Sequence, residues 1–478
     1  MLSTLAYIFF ILLIIGTILV ILTDEEDYST KKITWIIIIA LLPVVGLICY
    51  IIFGLNPKRS KHYAKTHGRF VRIFTARTDE KVRERLFAHS IEERIKPEYQ
   101  ELTRLLARSN GTTVTADNNL EIITSGQRKF EALLQDLENA KDHIHMEYFY
   151  FRKDNGSKKI KEMLMKKARE GVKVRFIHEN IANISISPAY YNEMKEAGVE
   201  VVKFTRPRFN LLTLSAQLNY RDHRKIVVID GKIGYTGGMN IGDDYFLRWR
   251  DTHLRITGNA VSALQYSFFY SYISSGGNIK GNFSRYFPIQ EAVEGKDKLI
   301  QIVPDEADDQ WPIIHMGTVW TVQHASKYIY IQTPYFVPPE PLIHSLKACA
   351  LKGTDVRIML PMQSDSFYME PANRSYYHEC LEAGIRIYQK KGPFIHSKTI
   401  VTDDYLSIVG SANMDYRSLE LNNEINAYIF SKETALENKE IFMKDLETCE
   451  EVIMEKWVRR AWYKKLTQAI IRLFAPLL

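Results

Sequence analysis

The chain has 478 residues, 25% of them charged and 46% hydrophobic, proportions that exclude a disordered or low-complexity protein and leave room for about two or three domains. Its net charge of +7 is modest and says little until the basic residues are located. Four scattered cysteines (Cys49, Cys349, Cys380, Cys449) without CxxC spacing argue against a disulfide framework or zinc site, and fit a reducing compartment.

Taken in chain order, the first features are two apolar runs, Leu5 to Leu22 and Ile33 to Phe53. Each is about long enough to cross a hydrocarbon core of roughly 30 Å as a helix. A cleaved signal peptide fits poorly: no basic residue precedes the first run, no small-x-small cleavage site stands out, and a second span follows at once. A two-helix transmembrane anchor over residues 1–57 is expected. Asp24, Glu25, Glu26 and Asp27 lie between the runs, whereas Lys58, Arg59, Lys61, Lys65, Arg69 and Arg72 follow the second. The positive-inside rule then puts everything beyond that basic segment in the cytoplasm, at the cell membrane. Residues 58–110 read as a basic, helical connecting segment without chemistry of its own.

From Gly111 the pattern turns to strands alternating with helices, and the chain begins to repeat itself. DHIHMEYFYF (Asp142 to Phe151) matches KYIYIQTPYF (Lys327 to Phe336). AREGVKVRFI (Ala168 to Ile177) matches ALKGTDVRIML (Ala350 to Leu360), and MKEAGVEVVKF matches CLEAGIRIYQK. The expected fold is α/β: two duplicated domains, 111–290 and 291–478, each with a largely parallel sheet.

Each copy ends on the same motif. RDHRKIVVID (Arg221 to Asp230) and FIHSKTIVTD (Phe394 to Asp403) both contain His-x-Lys-x4-Asp, with the histidines 173 positions apart. Asn240 lies 17 residues after His223, and Asn413 lies 17 after His396. Asp251 and Glu424 each lie 28 residues after their histidine. Two copies in matched flanks, with equal offsets to an amide and a carboxylate, are no accident.

The residue types suit phosphoryl chemistry. On a strand, His223 and Lys225 share a face, as do His396 and Lys398. One repeat therefore offers an imidazole, a cation and an amide, which is half of a site for a phosphodiester. Two halves face to face make a whole one: one imidazole attacks phosphorus and the other protonates the leaving oxygen. Asp251 and Glu424 suit the carboxylate behind each imidazole. Asp230 and Asp403, at odd spacing from the histidines, point away and read as turn or framework residues. His143 and His145, opposite Tyr328 and Tyr330 of the other copy, read as structural. No His/Asp/Glu cluster has ligand spacing, and the two lysines would repel a cation, so no catalytic metal is expected. At the C-terminus, Val458, Trp462, Leu466, Ile470 and Leu473 recur at helical spacing among Arg459, Arg460, Lys464 and Lys465, the pattern of an interfacial amphipathic helix.

These motifs resemble the phospholipase D superfamily and, more narrowly, its bacterial cardiolipin synthase family. The resemblance rests on the two N-terminal runs, FGLNP, IQTPYFVP, NYRDHRKIVVIDGKIGYTGGMNIGDDY, RWRDTH and HSKTIVTDDYLSIVGSANMDYRSLELNNE, and covers essentially the whole chain. It implies two halves related by a pseudo-twofold axis, with a shared site that works through a covalent phosphohistidine and uses no metal or nucleotide cofactor. It further implies that His223 is the nucleophile and His396 the acid/base. Lys225, Lys398, Asn240 and Asn413 would bind phosphate, Asp251 and Glu424 would orient the histidines, and Asp230 and Asp403 would complete the catalytic motifs. The implied reaction joins two phosphatidylglycerols into cardiolipin and glycerol, reversibly and within the membrane. A hydrolytic phospholipase D or another phosphatidyltransferase would use the same residues. A nuclease is disfavoured by the anchors and by the lack of an aromatic, basic channel, so nucleic acid is not an expected partner.

Overall fold

The computed structural model describes residues 2–24, 29–54, 59–87, 91–108, 111–204, 220–290, 297–307 and 309–477. Repeat 1 contributes β1 (Thr115–Ile123), β2 (His143–Tyr148), β3 (Lys173–Glu179), β4 (Glu200–Phe204), β5 (Lys225–Ile229), β6 (Ile233–Gly237) and β7 (His253–Gly258). Repeat 2 contributes β8 (Lys298–Asp305), β9 (Tyr328–Gln332), β10 (Phe336–Val337), β11 (Asp355–Pro361) and β12 (Arg386–Lys390). It continues with β13 (Thr399–Thr402), β14 (Leu406–Gly410), β15 (Met414–Asp415), β16 (Glu424–Phe430) and β17 (Cys449–Glu451).

Fifteen of these strands form one continuous sheet, in the order β17-β12-β11-β9-β13-β14-β16-β8-β1-β7-β6-β5-β2-β3-β4. Read outward from the antiparallel β1–β8 seam, the two halves run through equivalent strands, so the duplication in sequence becomes a pseudo-twofold in space. The expectation of a largely parallel sheet needs correcting. Within the fifteen-stranded sheet of the described residues only β2-β3-β4 and β9-β11-β12 pair in parallel, and the other neighbours are antiparallel; β10 and β15 form a separate parallel pair. Helical crossovers link the parallel strands, but the motif strands β5 and β13 turn straight back as hairpins into β6 and β14.

Both faces of the sheet are covered, which is why β5 reads as an unbroken β-branched run. Ile226 and Val228 enter one core cluster while Val227 and Ile229 enter another on the opposite face. The connecting segment is built into both halves. Phe70 and Phe74, on the helix Arg59–Arg77, pack with repeat 1, whereas Leu102 and Leu106, on Pro97–Ala107, join the repeat 2 core.

Among the described residues, one helix is long and apolar enough to span a membrane, Thr4–Thr23 within Leu2–Thr23. The second run is divided into Ser29–Leu41, Pro43–Cys49 and a wide turn at Tyr50–Gly54. Pro43 supplies the reason, since it has no N–H to continue the helix and disfavours helical geometry at Leu42, whose φ is −133°. Glu25, Glu26, Asp27 and Lys58 lie outside the described residues.

The C-terminal helix runs from Trp462 to Leu473. Only Gln468 of it is buried, while Trp462, Leu466, Ile470 and Leu473 are exposed. The end of the helix meets the second apolar run: Thr34 donates its hydroxyl to the Leu473 carbonyl at 3.0 Å, and Leu477 packs against a cluster of Ile21, Trp35, Ile39 and Tyr50.

Candidate active site

The two motifs meet in one cleft of about 460 Å³, lined by both His223 and His396. The backbone brings them together by a reciprocal exchange between the repeats. Just before the first motif, Asp222 bridges to Asn423, and the His223 N–H donates to the Asn423 carbonyl at 2.9 Å. Just before the second, Arg250 bridges to Ile395, and the His396 N–H donates to the Arg250 carbonyl at 2.7 Å. Each histidine is thereby stitched beside the carboxylate that follows in the opposite repeat.

The pairing of histidine with carboxylate consequently crosses between halves. His223 Nδ1 lies 3.0 Å from both Glu424 oxygens, and His396 Nδ1 lies 2.7 Å from Asp251 Oδ2. The equal offsets of 28 left the pairing open, and the structure crosses it: each histidine takes its carboxylate from the other half. Both carboxylates are fully buried and held by further donors. Ser411 Oγ and Asn422 Nδ2 donate to Glu424 at 2.5 and 3.3 Å, and the Thr252 N–H donates to Asp251 at 2.6 Å. Gly238 makes room for Asp251: a Cβ there would sit 2.2 Å from Oδ1. Ser411 occupies the equivalent position of repeat 2, so the two carboxylates are supported differently.

With Nδ1 engaged by a carboxylate, each ring is held as the Nδ1–H tautomer, which leaves the lone pair on Nε2. Aromatic edges fix the ring planes. Phe149 lies 4.9 Å from His223, and Tyr245 and Trp249 lie 5.4 and 5.3 Å from His396. The lysines sit against the rings. Lys398 Nζ is 2.9 Å and 3.0 Å from the two nitrogens of His396, and Lys225 Nζ donates to the His223 carbonyl.

Burial dominates the electrostatics. It pushes His223 below the usual imidazole value despite Glu424, and burial plus the Lys398 charge bring His396 down to about 3. Burial likewise lowers Lys225 to about 7 and Lys398 to about 8, against the pull of Glu424 and Asp251. Burial thus favours the neutral forms of both imidazoles and brings the lysines near neutral pH, so an anion entering the cleft would be met by proton uptake.

The other expected residues divide. Asn413 lines the cleft, donating to Ser418 Oγ at 3.1 Å with its Oδ1 unpartnered. Asn240 does not line it: the amide is fully buried, donating to the Tyr245 hydroxyl at 2.7 Å and accepting from the Tyr150 N–H at 3.1 Å. Equal spacing placed the two asparagines alike, but the Tyr150 backbone claims the first. Asp230 and Asp403, counted with the catalytic motifs, do not line the cleft with the two imidazoles. Both adopt left-handed φ, 54° and 53°, and spend their carboxylates on backbone N–H groups at the start of β2 and β9. His143 and His145 are buried in β2 among aromatic rings. Among the described residues, no group of three or more His, Cys, Asp or Glu is arranged to hold a metal ion.

Several cleft residues were not among those expected from the motifs. Tyr150 and Tyr335, equivalent positions of the two repeats, both line the cleft, and Arg152, Arg221 and Arg417 add three guanidinium groups. The aligned tyrosines were visible in the repeat itself; the arginines belong to no spacing rule.

The family model described as the phospholipase D-like domain of cardiolipin synthase matches residues 133–270 and 319–446, and a phospholipase D-nuclease N-terminal model matches 8–54. The chain is 36% identical over 465 residues to a cardiolipin synthase of Halalkalibacterium halodurans, covering 95% of this chain and 90% of that one. It is 35% identical over 497 residues to the major cardiolipin synthase ClsA of Bacillus subtilis, covering 100% and 99%. Among solved structures, the phosphatidylserine synthase of Haemophilus influenzae superimposes with a TM-score of 0.57 at 16% identity, covering 78% of this chain and 97% of that one, a likeness of fold.

Proposed function

This chain belongs to the family of cardiolipin synthases built on phospholipase D-like domains, and on that premise we propose that it transfers the phosphatidyl group of one phosphatidylglycerol to a second, giving cardiolipin and glycerol. The observation that carries the reading is the crossed pair of imidazole–carboxylate contacts in a single cleft. It supplies two imidazoles lining one space, as a double displacement at phosphorus requires.

In the first displacement, Nε2 of His223 forms a bond to phosphorus and the bond to the glycerol oxygen breaks. His396, protonated as the anionic phosphodiester enters, gives its proton to that oxygen. In the second, the free glycerol hydroxyl of another phosphatidylglycerol attacks phosphorus, its proton passes to His396, and the phosphorus–nitrogen bond breaks. Asn413, in the cleft wall, faces the non-bridging oxygens, and Lys225 and Lys398, buried against the histidines, add positive charge behind them. Glu424 stabilises the cationic character of the phosphorylated His223, and Asp251 that of His396. Phosphodiester bonds are conserved throughout, so the reaction runs both ways.

The chain is membrane-associated through its N-terminal apolar helix. The finer arrangement we propose is a second crossing by the run divided at Pro43, with the catalytic repeats on the cytoplasmic side. The exposed apolar stripe of the C-terminal helix lies on the same membrane surface.

Purified enzyme in vesicles of phosphatidylglycerol alone should release glycerol and cardiolipin in equal amounts. Accumulation of phosphatidic acid without cardiolipin would instead make the protein a hydrolase.

A further inference from the structure

Cardiolipin carries two phosphodiesters, and the histidines and lysines act on one. During transfer the acceptor's own phosphodiester must lie within one glycerol of the reacting phosphorus. It needs a place in the same cleft.

The cleft offers a second cationic cluster for it. Arg221 precedes the first motif, and Arg417 follows Asn413 on the helix Tyr416–Glu420. Although they come from different repeats, both line the cavity that holds His223 and His396. They are also close enough for the Arg221 charge to add to burial in lowering the Arg417 pKa. Two guanidinium groups lining one cleft repel each other, and an anion bound by both lowers that cost. Arg221 is held in place by an ion pair with the buried Glu179, Nη1 to Oε1 at 3.5 Å, in which Nη1 makes no hydrogen bond. Asp365 and Asp415 line the cleft too; Asp365 accepts from the Tyr335 hydroxyl at 2.8 Å, and Asp415 accepts from the Ser418 N–H at 2.7 Å and offsets part of the Arg417 charge. Asn422 Oδ1, unpartnered in the same wall, can accept a hydroxyl of the glycerol headgroup.

We propose that Arg221 and Arg417 form an acceptor site that binds the phosphodiester of the second phosphatidylglycerol and aims its free hydroxyl at the phosphohistidine. This rests on the phosphatidyl-transfer reading above and adds the element that selects a lipid over water. A hydroxyl tethered at the arginine pair attacks as if intramolecularly, whereas water has no such hold. Arginine suits the task, because its planar fork matches two phosphate oxygens.

The test compares two reactions of the full-length enzyme in phosphatidylglycerol vesicles: cardiolipin formation, and exchange of radiolabelled free glycerol into phosphatidylglycerol. Exchange needs the donor site and the phosphohistidine but no acceptor phosphate. In Arg417→Gln and Arg221→Gln, cardiolipin formation should fall about 30-fold or more while exchange stays within about 3-fold. Released phosphatidic acid should rise, and Arg417→Lys should recover part of the cardiolipin. Exchange falling in step with cardiolipin formation, or neither falling, overturns the acceptor site. Wild-type enzyme that does neither reaction would overturn the transfer reading itself, a separate result.

Discussion

His223 meets both carboxylate oxygens of Glu424 at 3.0 Å, although the two lie 201 positions apart in different repeats. The reciprocal contact joins His396 to Asp251 at 2.7 Å. Duplication alone would have produced two separate half-sites. Exchange of the carboxylates makes each half incomplete and ties the chemistry to the seam.

Glu424→Gln and Asp251→Asn keep the size of each side chain but remove the charge that steadies a cationic imidazole. Each should lower kcat by about 10²- to 10⁴-fold with little change in KM. Steady-state kinetics on phosphatidylglycerol vesicles reads this directly; undiminished turnover in either variant would detach that carboxylate from the chemistry. Gly238→Ser should behave like Asp251→Asn, because its side chain enters the space of the Asp251 carboxylate.

The pH dependence follows from the buried lysines. A lysine is cationic below its pKa, and burial has brought Lys225 to about 7 and Lys398 to about 8. As pH rises through that range the free enzyme loses the charge that attracts a phosphodiester, so kcat/KM should fall on the alkaline side. At neutral pH, anion binding should draw protons onto the lowered imidazoles and lysines. Calorimetry with inorganic phosphate in buffers of different ionisation enthalpy should register uptake, and release would reverse the sign of the argument.

The motif aspartates belong to stability. Asp230 accepts from the N–H groups of Lys141, Asp142 and His143 at 2.8 to 2.9 Å while holding φ at 54°. Asp230→Ala removes those acceptors and leaves alanine in a left-handed conformation, at a cost of roughly 3 kcal/mol or more. Asp230→Asn, which tolerates that conformation, should cost less. Thermal unfolding should show a lower Tm for Asp230→Ala and Asp403→Ala, with kcat of the folded fraction within about 3-fold of wild type. A fall in kcat at unchanged Tm would return these residues to the chemistry.

The repeat was legible because spacing survives duplication: both histidines, both lysines and both carboxylates could be numbered in advance. Which carboxylate serves which histidine was not, since equal offsets are compatible with either pairing and only the strand exchange at Asn423 and Arg250 decides it. Asn240 was misplaced for a related reason. Its spacing equals that of Asn413, but its amide is consumed by Tyr150 and Tyr245. The strand directions were hidden because hydrophobic periodicity marks a buried strand without giving its polarity. Pro43 was visible within the second apolar run, yet hydropathy summed over the run outweighed a single helix breaker.

The C-terminal helix carries the last prediction. A water-facing helix would turn Leu466 and Ile470 inward, yet here Gln468 is buried and accepts from Arg460 Nε at 2.9 Å, while Trp462, Leu466, Ile470 and Leu473 face out. That inversion suits a surface laid on acyl chains, where each such side chain contributes roughly 1.5–3 kcal/mol when covered. Quenching of tryptophan fluorescence by brominated lipid should therefore include a component from Trp462 that disappears in Trp462→Phe. Leu466→Ser with Ile470→Ser should raise the KM for phosphatidylglycerol in vesicles while leaving the trapped phospho-enzyme intact. If Trp462 contributes nothing to the quenching and the double substitution leaves KM unchanged, the helix faces something other than the membrane.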